Sequence, residues 1–126
     1  MSYRFTIPGR LPGLNEVISA NRTNRHLGAK LKADTQRMIG QCILAQLPGL
    51  HIHAPVGITY CWIERDRRRD LDNIASAKKF VQDALVQQGV LENDGWKCVR
   101  ELHDCFGVDK KSPRVEVIIE IIAEET

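Results

Sequence analysis

The run VGITYCWI at residues 56–63 constrains the fold more than any other part of the chain. It combines β-branched and aromatic residues without a charge, which is typical of a strand in the middle of a sheet. VEVIIEII at residues 115–122 has the same character, and YRFTI at residues 3–7 alternates between apolar and polar side chains. KCVRELHD at residues 97–104 is the fourth predicted strand. The chain therefore has to build a β-sheet with a buried centre.

Two helices are predicted between these strands. Apolar side chains at helical spacing mark the first, at residues 31–46. The second begins at Asp72 or Asn73, either of which is a good N-cap, and ends at Gly89. The polar stretch at residues 14–29 is predicted to be a long loop, and loops of this length are commonly functional.

This order of elements predicts one α/β domain of α+β character over residues 1–126, with two main helices packed against a small mixed sheet. A chain of 126 residues, 43% of them hydrophobic, is long enough for a single core, and the composition excludes disordered and fibrous classes. No apolar run approaches membrane-spanning length, no secretory segment opens the chain, and no two cysteines form a C-x-x-C pair. We therefore expect a reduced, soluble, cytoplasmic protein with no membrane partner.

The net charge of +2 conceals an uneven distribution of charged side chains. Residues 22–37 carry five basic side chains and one acid, and residues 65–69 carry four arginines and one acid. Local basic clusters on a nearly neutral chain indicate a positive face, for which a polyanion is the natural partner. A charged surface that contacts only solvent is the alternative.

Basic and acidic side chains meet in RRRDLDN, residues 67–73. Asp70 and Asp72 are two positions apart, so in an extended segment their side chains point the same way. Two carboxylates at a helix N-terminus repel each other, and a hard divalent cation such as Mg²⁺ would offset that repulsion. Asp94, in an Asn-Asp-Gly turn, is the candidate third ligand if the chain folds back to the start of the helix. The alternative is that these acids cap the helix and pair with arginines.

A carboxylate metal site flanked by arginines and lysines is the layout of phosphodiester cleavage. Metal ions bind phosphate oxygens and activate water, while basic side chains hold neighbouring phosphates. In a continuous helix Lys79 returns nearly to the face of Asp72, whereas Lys78 lies about 120° away. Lys79 is therefore the better candidate for stabilising charge at the scissile phosphate, with Lys78 as the alternative.

Further phosphate contacts are predicted from residue type, because the planar guanidinium of arginine suits a phosphate group. The candidates are Arg67, Arg68, Arg69, Lys78, Arg22 and Arg25. Trp96, beside Asp94, is open to two uses, core packing or stacking on a base.

DRRRDLDN at residues 66–73, followed by DALVQQGVLENDGW at residues 83–96, resembles the RusA family of Holliday-junction resolvases, small endonucleases often carried by phages and prophages. The family pattern has a basic run, a D-x-D-N tetrad, a lysine in the next helix, a D-A-L step and a later aspartate. The residues that match it here are Arg67 to Arg69, Asp70 to Asn73, Lys79, Asp83 to Leu85, and Asp94. Asn15 and the basic segment 22–37 support the resemblance more weakly. Ser76 stands where shorter members have the lysine, and Asn93 stands where some have a second acid.

The resemblance implies a magnesium-dependent, homodimeric endodeoxyribonuclease that resolves four-way DNA junctions by paired nicks, in DNA recombination and repair. Asp70, Asp72 and Asp94 would be catalytic and bind Mg²⁺, Lys79 would be catalytic, and Asn15 would contact DNA. No small-molecule cofactor is implied. A twofold dimer also matches the symmetry of the junction. The alternatives are a nuclease on other branched DNA and a non-catalytic DNA-binding subunit.

Overall fold

The computed structural model describes residues 1–122 and contains a four-stranded sheet with helices, as the order of sequence patterns predicted. The elements are β1 (Ser2–Pro8), α1 (Leu14–Thr23), α2 (Arg25–Gln46), β2 (Val56–Glu64), α3 (Leu71–Ala75), α4 (Lys78–Gln87), β3 (Val99–Val108) and β4 (Arg114–Ile121). Among residues 1–122, no helix combines the length and the apolar character that crossing a membrane requires.

The sheet is mixed, with the strand order β1-β4-β2-β3. β4 pairs antiparallel with both β1 and β2, whereas β2 pairs parallel with β3. The parallel pair needs a long connection, and the segment containing α3 and α4 supplies it. β2 is an inner strand, as its apolar run predicted, and Ile58, Tyr60 and Trp62 are at most 1% exposed.

One face of the sheet forms the hydrophobic core. Two rows of paired side chains cross three strands, Phe5, Val117 and Tyr60 in one and Ile7, Val115 and Trp62 in the other. All six are buried and belong to the same cluster as buried side chains of α2 and α4. The opposite face of β2 carries half-buried residues, so the helices cover one face of the sheet.

Residues 14–23 form a helix and residues 25–29 are the start of α2, so the prediction of a long loop over residues 14–29 was wrong. α1 has no buried residue, so its sequence lacks the apolar stripe by which helices are recognised. It lies against α2 instead, and a Cβ atom on Gly28 would stand 1.8 Å from Asn21 Oδ1. Glycine at position 28 therefore allows the two helices to approach closely. Asn24 ends α1 and caps α2 by accepting a hydrogen bond from the Leu27 N–H at 2.6 Å.

The second predicted helix is broken into two. It begins at Leu71 rather than at Asp72 or Asn73, and α3 ends at Ala75. The Ala77 N–H then bonds to Ile74 O at 3.2 Å, an i to i−3 bond that tightens the backbone between α3 and α4. A rotation of 100° per residue therefore does not carry through from α3 to α4, and the predicted facing of Lys79 relative to Asp72 loses its basis.

Candidate functional site

Arg69 fixes the loop between β2 and α3. Its guanidinium makes two parallel hydrogen bonds to Glu64, from Nε to Oε1 at 2.9 Å and from Nη2 to Oε2 at 2.8 Å. Nη1 also donates to Leu11 O at 3.0 Å and to Glu16 Oε1 at 3.3 Å. The side chains of Arg69 and Glu64 are only 12% and 8% exposed. This charge-assisted pair ties the loop to the end of β2 and to the segment that leads into α1.

The three arginines of the motif therefore differ in role. Arg69 was predicted to contact phosphate, but its donors bind acceptors within the protein, and we reassign it as a positioning residue. Arg68 is 86% exposed and contacts Asp66 at 3.7 Å. Arg67 is exposed and has no ion pair within residues 1–122. The sequence did contain one indication of this role for Arg69. Glu64 is an acid at the end of an apolar strand, so its buried carboxylate requires a cation nearby.

Asn73 fixes the other end of the motif. Its Oδ1 accepts a hydrogen bond from the backbone N–H of Asn15 at 2.9 Å. The N-cap residue of α1 is Gly13, which has no side chain for capping, so Asn73 supplies the cap from a distant part of the chain. A Cβ atom on Gly13 would stand 2.7 Å from the same Oδ1. Asn15, predicted to contact DNA, takes part in this contact through its backbone.

Asp70 and Asp72 lie between these two anchors without a cation partner. Asp70 is the N-cap residue of α3, yet its side chain makes no capping hydrogen bond. Asp72 Oδ1 accepts only from the adjacent Asn73 N–H, at 2.9 Å. Neither forms an ion pair within residues 1–122, although other acids along residues 64–104 pair with Lys or Arg. These paired acids are Glu64, Asp66, Asp83, Asp94 and Asp104.

Asp94 is held by Lys79. The distance from Lys79 Nζ to Asp94 Oδ2 is 2.8 Å, and Asp83 Oδ1 lies 3.0 Å from the same ammonium. The hydrogen bond to Lys79 lowers the pKa of Asp94, and the hydrogen bond to Asp94 raises the pKa of Lys79. The structure thus brings two of the predicted catalytic residues together, as an ion pair at the surface.

The predicted set of three magnesium ligands is not assembled as one group. Among the residues that the structure describes, no three His, Cys, Asp or Glu side chains are grouped so that they could hold a metal ion. Asp94 is instead neutralised by Lys79. Mg²⁺ is usually held by one or two carboxylates, with waters and phosphate oxygens completing its shell, and Asp70 and Asp72 are the predicted ligands that keep no cation partner within residues 1–122.

The ammonium group of Lys78 contacts other side chains of the protein. Its Nζ lies 2.5 Å from Asp104 Oδ2 and 5.8 Å from the centre of the Tyr60 ring. Asp104 Oδ1 also accepts a hydrogen bond from Trp62 Nε1 at 2.8 Å. The side chain of Lys78 is 23% exposed and that of Lys79 is 67% exposed. This contrast favours Lys79 as the lysine that a ligand can reach.

The remaining predicted contacts lie on the surface of α1 and α2. Arg22 and Asn15 line a shallow depression along α1, and Arg25 begins α2 with an exposed side chain. Trp96 is 87% exposed, which excludes core packing within this chain.

Replacing Lys79 with methionine should raise the pKa of Asp94 back toward its ordinary value of 3.8, because the Lys79 hydrogen bond is the main cause of its lowering. In the wild type, the stabilisation from this pair is present above the unfolded-state pKa and is lost as the pH falls through the lower folded-state pKa. Carboxyl-carbon NMR titration measures the midpoint. Lys30→Met, which removes one of the two cation partners of Asp34, should leave the pKa of Asp94 unchanged. If Asp94 in the wild type titrated with its ordinary pKa of 3.8, the ion pair with Lys79 would be contradicted.

The arrangement thus has two carboxylates without a cation partner at the start of α3, an exposed arginine pair on the loop before them, and a separate Lys79–Asp94 pair. A scan against protein-family models and a search of curated proteins find no match to this chain. The function therefore has to be inferred from the chemistry of these residues.

Proposed function

We propose that this protein is a magnesium-dependent, structure-specific endodeoxyribonuclease that resolves four-way (Holliday) DNA junctions by paired symmetric nicks, in recombination and repair. The observation that carries the proposal is the charge pattern of the β2–α3 loop and the first turn of α3. Asp70 and Asp72 have no cation partner within residues 1–122, although arginines stand beside them in the sequence. The resemblance of residues 66–97 to the RusA resolvases supports a branched DNA substrate.

Five charged residues of the β2–α3 loop and the start of α3 have parts in this proposal. Asp70 and Asp72 would hold Mg²⁺, which when bound supplies charge neutralisation at the scissile phosphate and a more acidic water. Arg67 and Arg68 would grip the flanking phosphates, since their side chains are exposed on the same loop. Arg69 would hold the loop in shape through its pair with Glu64.

Lys79 and Asp94 would act together at the second part of the site. Lys79 would stabilise the negative charge that develops at the scissile phosphate, and Asp94 would orient its ammonium group. Asp94 could serve as a third metal ligand only by parting from Lys79.

A homodimer completes the proposal. One chain supplies one pair of free carboxylates, so two symmetric cuts require two copies. A twofold dimer matches the symmetry of a four-way junction.

The purified protein should nick a synthetic four-way junction in Mg²⁺ and should leave it intact in excess EDTA. The nicks should fall at symmetric positions in two strands of like polarity, and a linear duplex of the same sequence should survive. Equal cleavage of flaps and three-way junctions would favour the nuclease on other branched DNA. Junction binding that is unaffected by EDTA, with no nicking in any divalent metal, would overturn the catalytic proposal and leave a DNA-binding subunit.

A further inference from the structure

Two of the four cysteines stand side by side on neighbouring strands. β2 pairs parallel with β3, and in that register Cys61 is the direct partner of Cys105. Neighbouring strands lie about 4.8 Å apart, and a disulfide needs Cα atoms about 4.4–6.8 Å apart. The backbone therefore holds this pair at the separation that a disulfide requires.

Both side chains point to the face of the sheet that the helices leave open. Tyr60 and Trp62 are buried in the core, so Cys61 between them faces the other way. Asp104 binds Trp62 on the core side, so the next residue, Cys105, also faces away from the core. Burial raises the pKa of the Cys61 thiol, and the Cys105 thiol beside it raises that pKa further. The two thiols therefore lie together on one side of the sheet.

The other two cysteines lie elsewhere in the fold. Cys42 is on α2 and packs against the core, on the opposite side of the sheet. Cys98 adjoins Val99, the partner of Val56. Since Val56 is five residues before Cys61, Cys98 lies roughly 16 Å from Cys61 along β2, at about 3.3 Å per residue. Within residues 1–122, only Cys105 is placed to bond to Cys61.

We propose that Cys61 and Cys105 are a dithiol site that a low-molecular-weight disulfide, such as oxidised glutathione, converts to one intramolecular disulfide. Cys105 reacts first because it is exposed, whereas Cys61 is half-buried. The Cys105 thiolate attacks one sulfur of the oxidant, forms a mixed disulfide and releases one glutathione thiolate. The Cys61 thiolate then attacks the Cys105 sulfur, forms the internal bond and expels the second glutathione thiolate. The cysteines lose two protons and two electrons, and the oxidant takes them up as two thiols.

The bond closes residues 62–104 into a ring that contains both α3 and α4. All four residues that the proposed function uses as metal ligands or catalytic groups lie within this ring, namely Asp70, Asp72, Lys79 and Asp94. An excess of reduced thiol reopens the bond by the same exchange, because the Cys105 side of the bond is exposed. The dithiol site does not depend on the proposed nuclease activity.

Oxidised glutathione, mixed with the reduced form in graded ratios, should convert the purified protein to a species about 2 Da lighter, because two hydrogens leave. Mass spectrometry of the intact chain measures this loss, and dithiothreitol should reverse it. Cys42→Ser combined with Cys98→Ser should form the same bond, since both thiols of the site remain. This background also identifies the bond, because no lysine or arginine separates Cys42 from Cys61 and trypsin leaves both in one peptide. Trypsin should then release residues 38–65 joined to residues 101–110.

Two single variants in that background separate the two steps. Cys61→Ser should keep one glutathione on Cys105, because no neighbouring thiol resolves the mixed disulfide. Cys105→Ser should take up glutathione about tenfold more slowly, because the remaining Cys61 thiol is half-buried. Stable glutathione on Cys105 of the wild type without an internal bond would overturn the proposal. A bond between any other pair, or four free thiols at every ratio, would also overturn it.

The oxidised protein should unfold at a midpoint about 10 °C above that of the reduced protein, because a ring of this length restricts the unfolded chain. Thermal unfolding followed by circular dichroism measures the shift. Cys61→Ser combined with Cys105→Ser is the control, and its midpoint should not respond to glutathione. A lower midpoint after oxidation of the wild type would mean that β2 and β3 must distort to form the bond, and the proposal of a prearranged pair would be lost.

Discussion

Asp72→Asn should abolish junction cleavage and leave junction binding intact or tighter. Asparagine keeps the size of the side chain and the oxygen that accepts from the Asn73 N–H, so the start of α3 is preserved. It removes one of two carboxylate charges, and the cleavage rate should fall by about two to three orders of magnitude, the loss typical of removing one charge-stabilising group. Binding should hold or improve because a negative charge near the phosphates disappears. Single-turnover cleavage and fluorescence anisotropy measure the two quantities separately.

Glu120→Gln is the matched control for this experiment. Glu120 is an exposed acid on β4, outside the β2–α3 loop, so both cleavage and binding should stay unchanged. Asp70→Asn should behave like Asp72→Asn, because the side chain of Asp70 has no bond to lose within the described residues. Full cleavage by Asp72→Asn would exclude it as a metal ligand. Loss of binding together with cleavage would show that the acid is structural.

Arg69→Met should lower the free energy of unfolding by about 3 kcal/mol, because it strands the buried carboxylate of Glu64 without its cation. It also removes the donor to Leu11 O, so the loop loses its connection to the segment before α1. Urea denaturation measures this loss. Glu64→Met combined with Arg69→Met should recover most of it, since two apolar side chains of similar size leave no unpaired charge.

Arg68→Ala is the control for the Arg69 series. Its side chain is 86% exposed, so the free energy of unfolding should change by no more than about 0.5 kcal/mol. Should Arg69→Met keep full stability and instead lose affinity for the junction, Arg69 would be a phosphate contact after all. The loss of stability and the loss of junction affinity can be told apart, because urea denaturation is measured without DNA.

The strands could be predicted because their information is local. VGITYCWI carries the burial of β2 in its own residue types, and the Ile58, Tyr60 and Trp62 side chains are indeed buried. α1 could not be predicted this way, because its contacts lie in Gly28 and Asn73, far from its own sequence. The break between α3 and α4 was missed for a related reason, since no glycine or proline marks it.

The candidate site divides in the same manner. The spacing of Asp70 and Asp72 is a property of the chain itself, so the sequence by itself determined that two carboxylates would lie at the start of a helix beside a basic run, whereas the extended segment expected to align their side chains is helical from Leu71 onward. The sequence also showed that three arginines precede Asp70, but it did not show which of them binds within the protein. Only the tertiary structure decided that Arg69 turns inward to Glu64 and that Lys79 pairs with Asp94. The physical reason is that a charge finds its partner across elements, and that choice depends on which elements the folded core brings into contact.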